Sequence, residues 1–378
     1  MSVYHNPAMR LPNLLHLVTV VVCAAALAVT ARTAYRELRA IDDPVVRVDL
    51  ALESGLTSQR LAAEIDAAIL ADDPELAESF IALAAERDIA VPPGLADRVT
   101  ALRDDTWGRA ARDFRDGFTQ KDLRSGVGVS GAIAADLSGF GDLRDLASEG
   151  GKWMKGQETD TLVLGLSAAG LAVTAATWSS LGGALPARIG LSLTKSLQKS
   201  GRLSQPLAHA LARVTSEALD RDALRASLAS FGRLDFSAAR ASSGRLLRPA
   251  SLAELRQLGT DVSTMYARTG VRGAQDALSI AASNVEIRAA ARIAVVKGSK
   301  TRAVLKVFGR GVLIAGSLSL TLAGWLFSLA AWFFVAASFA RRLGERIGRR
   351  MFAPRPKSAL VVDACPDANT SRRWSPGR

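Results

Sequence analysis

Apolar residues recur along this chain with helical spacing, and the alternation expected of strands is almost absent. Leu61, Ile65, Ala68 and Ile69 form one stripe, Leu76, Phe80 and Leu83 a second, and Leu95, Val99 and Leu102 a third. Spacings of three and four bring such side chains onto one face of a helix. Asp73-Pro74-Glu75 marks the start of the second helix: an N-cap, a proline in the first turn, then an acid near the positive helix end. Later stripes are Leu207, Leu211, Val214 and Ala218; Leu224, Leu228 and Phe231; and Leu252, Leu255 and Leu258 after Pro249. Much of the apolar content is Ala and Leu, both strong helix formers, so the fold class reads as all-α. No repeat of about 34 residues extends beyond these helices.

Three stretches depart from this amphipathic pattern. Arg10 and Arg32 enclose 21 residues without Asp, Glu, Lys or Arg; Asp160 and Arg188 enclose 27; Arg310 and Arg341 enclose 30. As a helix, each gap reaches about 30 Å or more, the thickness of a bilayer's hydrocarbon core. An integral membrane protein with three transmembrane helices is therefore expected. The first stretch is longer than the apolar core of a cleaved signal peptide, and Arg10 alone supplies positive charge before it, which favours an uncleaved anchor. In the second, Gly165 and Ala169 lie on a small-residue stripe that would let helix backbones approach closely; in the third, Gly316, Gly324 and Ser328 do the same. The alternative for the second stretch is a helix buried in a water-soluble core.

Charge then divides what lies between. Residues 32–160 carry 16 Lys/Arg against 25 Asp/Glu, whereas residues 179–310 carry 21 against 8. The expected organisation is an N-terminal segment with a first transmembrane helix (1–33), an acidic helical domain (34–125), a glycine-rich linker (126–158), a second transmembrane helix (159–180), a basic helical domain (181–303), a third transmembrane helix (304–340) and a basic, largely disordered tail (341–378). Lys297, Lys300, Arg302, Lys306 and Arg310 precede the third span and Arg341 and Arg342 follow it. These cations are candidate contacts for anionic lipid headgroups. The Arg-rich tail argues for a cytoplasmic C-terminus and, with three spans, an external N-terminus. A re-entrant second segment would instead put both ends inside.

Candidate chemistry changes little. Gly126-Val127-Gly128-Val129-Ser130-Gly131 has the spacing of a dinucleotide-binding turn, but charged residues precede it where that turn needs a strand. Cys23 and Cys365, with His5, His16 and His209, are too scattered for a disulfide framework or a zinc site. No nucleophile elbow, zinc-protease helix or Cys–His pairing occurs, so no enzymatic activity and no cofactor are expected. The basic half lacks the interleaved aromatics of a nucleic-acid binder, and nucleic acid is not the expected partner. The reading that remains is a structural, scaffold or partner-binding protein of a bacterial inner membrane, contacting lipid and either a protein partner or further copies of itself. An oligomeric pore or transport component is the alternative, and a membrane-disrupting toxin-like role is a third.

Overall fold

A computed structural model of the chain describes residues 10–104, 140–220, 222–226, 246–314 and 320–351. The Gly126–Gly131 turn lies outside them. All the regular elements described are helical, with one isolated antiparallel bridge between Leu219 and Leu247. The helices are α1 (Arg10–Asp42), α2 (Pro44–Gly55), α3 (Ser58–Leu70), α4 (Pro74–Glu86), α5 (Pro93–Asp104), α6 (Phe140–Met154), α7 (Thr161–Ser179), α8 (Leu185–Lys199), α9 (Gln205–Ala218), α10 (Pro249–Ile280), α11 (Asn284–Lys297), α12 (Thr301–Phe308) and α13 (Leu320–Met351). Short 3-10 turns at Gly298–Lys300 and Gly309–Val312 flank α12.

Local sequence explains most boundaries. Asp43, Thr57, Asp73, Asp160, Ser204 and Ser283 each accept a hydrogen bond from a first-turn amide, which satisfies donors a helix start leaves free. Proline stands in the first turn of α2, α4, α8, α9 and α10, where its missing N–H costs nothing. Gly270 interrupts α10 with φ +73°, so its long helix is two helices joined at a kink.

The chain forms two compact units, residues 32–323 and residues 1–31 with 324–378. In the larger one the expected stripes face inward: Leu61, Ile65, Ala68, Leu76, Phe80, Leu83, Val99, Leu207, Leu211, Leu255 and Leu258 are all buried. Its densest packing joins α8 to α10, where Gly190 meets Gly259. A Cβ on Gly190 would collide with the Gly259 carbonyl oxygen, so only glycine allows this backbone crossing.

Several expected boundaries shift. The linker expected over 126–158 contains α6, which packs against α7. The second expected span is α7, and it packs against α6, α8, α9 and α10. Leu162, Val163, Leu164, Leu166, Ala168, Ala169, Ala172 and Val173 are buried in protein, as in the soluble-core alternative. The expected acidic and basic domains belong to the same unit rather than two, because α2 packs on α11 and α4 on α12. The third expected span is divided: α12 and the following turn lie in the bundle with Val312 and Leu313 buried, and the apolar helix proper begins at Leu320.

The smaller unit takes most of α1 and of α13. Val18, Val21, Val22 and Val29 are exposed on α1, and Leu326, Phe327, Phe333, Phe334, Val335 and Phe339 on α13. Among the described residues no helix is long and apolar enough to cross a membrane. Residues 315–319 lie outside the described set, as do many side chains at the start of α1 and of α13.

Candidate functional site: paired charge in the helical bundle

Two charge networks organise the larger unit. The first is buried. Asp142 and Asp145 stand one turn apart on α6; Arg188, Lys195 and Lys199 stand on one face of α8. Asp142 is 1% exposed, and Arg188 and Lys195 are each 2% exposed. Arg188 and Lys195 both donate to the Asp142 carboxylate, and Lys195 also lies 3.2 Å from Asp145 Oδ2. Lys199 donates to Asp145. Burial alone would raise the Asp145 carboxyl, but the hydrogen bond from Lys199 and the charges of Lys195 and Lys199 hold it below its ordinary range. Gly170 of α7 forms the floor of the pair: a Cβ there would overlap both the Asp142 carboxylate and the Arg188 guanidinium.

The second network joins the acidic helices to the basic ones. Lys297 donates to Asp49 at 2.8 Å and also to Glu86, which accepts from Lys300 at 2.6 Å as well. Arg302 grips Asp73 through two nitrogens at 2.9 and 2.8 Å and reaches Asp276 at 2.8 Å through its Nε. Asp73 is thus both the α4 N-cap and the anchor of α12. Arg310 donates twice to Glu286, at 2.8 and 2.7 Å. Arg47 binds three backbone carbonyls, those of Ala40, Ile41 and Val312. Ser79 donates to the Ser299 carbonyl at 2.7 Å and accepts from the Ala303 amide at 2.9 Å.

These contacts tune the groups involved. Burial opposes ionisation of Asp73, Glu86 and Glu286, yet the hydrogen bonds from Arg302, Lys297 and Lys300, and Arg310 respectively hold all three carboxyls below their ordinary range. Burial would likewise lower Lys297, but Asp49 and Glu86 raise it. Asp261 differs: burial raises its carboxyl, with Gln257 and Arg288 only partly offsetting this. It lines a groove of about 420 Å³ with Asp43, Thr264, Arg292, Val295 and Val296.

Of the cations expected at lipid, Lys297 and Arg302 are buried and Lys300 and Arg310 are paired with acids. Lys306 is exposed on α12; Arg341 and Arg342 are exposed on α13, Arg341 lying 3.3 Å from Glu345. Gly165 lies against Thr215 of α9, where a Cβ would collide with the threonine side chain, and Ala169 is fully buried. Gly324 has open space around it, Ser328 is half-buried, and Gly316 lies outside the described residues. Among the described residues no three His, Cys, Asp or Glu side chains are grouped to hold a metal ion.

A third feature is the turn between α7 and α8. Leu181 adopts φ +50° and is 99% exposed. A branched side chain in the left-handed region costs on the order of 1–3 kcal/mol, and Leu181 gains no burial in return.

No protein-family model matches the chain, and no curated protein or solved structure is significantly similar to it.

Proposed function

We propose that this is a helical membrane protein, anchored through α1 and α13, whose residues 32–323 form one helical domain with a structural or partner-binding role. The observation that carries the reading is the outward display of large apolar side chains on α13. Phe327 is 79% and Phe334 76% exposed, and water would not favour such a face. The charge-free part of α13, residues 320–340, reaches about 30 Å as a helix, although its described residues alone do not meet the length and apolarity of a span. Since α7 is enclosed by protein, two anchors serve rather than three. Two anchors put both termini on the same side of the membrane. Arg341 and Arg342, on α13 just past its charge-free part, favour a cytoplasmic tail in contact with anionic headgroups. A bacterial inner membrane is the setting this arrangement suits.

The test is extraction of the full chain. It should float with vesicles and resist alkaline carbonate, and compartment-specific reporters fused to the two termini should report the same, cytoplasmic side. Full release by carbonate, without detergent, would overturn the anchor. Ion flux from reconstituted liposomes would argue for a pore in place of a scaffold.

A further inference from the structure

We infer that the turn between α7 and α8, centred on Leu181, dips into the lipid–water interface of the bilayer, an inference that rests on the membrane reading above. The turn has what a lipid-inserting tip needs. Its apex is apolar: Leu181 is wholly exposed, Leu185 is 43% exposed and Pro186 is exposed beside it. No charged residue occurs from Thr161 to Ala187, so nothing ionised must leave water with the apex.

Several backbone amides near the apex are already paired within the chain. Backbone amides of Ser180, Gly182, Gly183 and Leu185 donate to Ala176, Thr177, Ser180 and Gly182 at 2.8–3.1 Å. Thr174 and Thr177 hydroxyls donate back to the Gly170 and Val173 carbonyls at 2.8 Å each. Taking an unpaired amide or hydroxyl out of water is costly, and internal pairing removes that cost. A tip built to meet a polar protein surface would instead present charge, and none occurs here. The positive φ of Leu181 aims an apolar side chain into solvent, and lipid supplies the burial that the fold withholds.

Full-length protein carrying Leu181→Cys in a Cys23→Ser, Cys365→Ser background, labelled with an environment-sensitive dye and reconstituted in anionic phospholipid vesicles, tests this. The dye should shift to the blue and be quenched by lipids brominated near the headgroup end of the acyl chain. Leu70→Cys is the control: Leu70 is also exposed, at 78%, but stands beside Asp72 and Asp73, and a dye there should keep its aqueous emission. Protein that floats with vesicles while the dye at 181 stays aqueous leaves the anchors standing and overturns the turn. Protein that fails to float overturns both. A blue shift that needs a second protein and is absent with lipid alone also contradicts lipid as the occupant, as does equal quenching at 181 and 70.

Discussion

Helices α7 and α13 are equally bare of charge through their apolar stretches, and they find opposite surroundings. Around α7 stand α6, α8, α9 and α10, and nearly every side chain from Leu162 to Val173 is buried. On α13, phenylalanines stand outward. Side-chain volume accounts for the difference. Gly165, Ala168, Ala169, Gly170 and Ala172 leave so little bulk on α7 that Thr215 and the Asp142–Arg188 pair rest almost on its backbone. Close packing of that kind recovers dispersion contacts that a gap would forfeit. Helix α13 instead carries Phe327, Phe333 and Phe334, with open space at Gly324. A missing charge permits burial without requiring it; small side chains let α7 be enclosed by protein, and bulky ones leave α13 with an exposed apolar face, which the membrane reading proposed above would cover with lipid.

That contrast can be broken most sharply at the buried cluster. Asp142→Ala leaves Arg188 and Lys195 in the core without their shared carboxylate, and the expected loss is about 3–5 kcal/mol in denaturant unfolding of the detergent-solubilised chain. A loss under about 1 kcal/mol would mean that water reaches the cluster and that α7 is not enclosed. Next comes Leu166→Ala, expected to cost about 2–5 kcal/mol by the same measurement. Gly190→Ala should cost about 1–3 kcal/mol, because the backbone of α10 must retreat from α8; an unchanged midpoint would deny the crossing at Gly259.

Acid offers a gentler perturbation. Asp73, Asp145, Glu86 and Glu286 titrate below their ordinary values of 3.8 and 4.5 in the fold, so the unfolded chain binds protons first as pH falls. Their contribution is fully present above about pH 5 and drains away through and below pH 4. Lys297, raised above 10.5, contributes below that value and loses its contribution as pH rises past it. A stability plateau from about pH 5 to 10, falling on both sides, is expected by calorimetry. The smallest effect belongs to α13: Phe334→Ala should change unfolding of the helical domain by less than about 0.5 kcal/mol. A cost comparable to that of Leu166→Ala would erase the distinction between the two helices.

Elements were legible in the sequence where the signal was local. The Asp73-Pro74 start, the stripes of α3, α4 and α9, and the Pro249 entry to α10 depend on residues a few positions apart, and the folded chain has them there. Tertiary pairing was not legible. Lys297 with Asp49 and Glu86, and Arg302 with Asp73, join residues more than two hundred positions apart, and no local rule couples them. Opposite net charge in the two halves was visible, and it signals mutual attachment as well as separate domains. One sign of the buried cluster was also present. Asp142, Asp145 and Glu149 share a helical face, as do Arg188, Lys195 and Lys199, which makes complementary stripes. The glycines of residues 150–156 obscured the helix that carries the acidic one.

The proposed membrane anchoring predicts lipid at α13 and α1 and none at α7. Photoactivatable diazirine phospholipids, incorporated into membranes holding the full-length protein and followed by peptide mapping, read this directly. Adducts are expected on residues 320–340 and on α1, with residues 162–173 of α7 unlabelled. Labelling of α7, or none on α13, would contradict it.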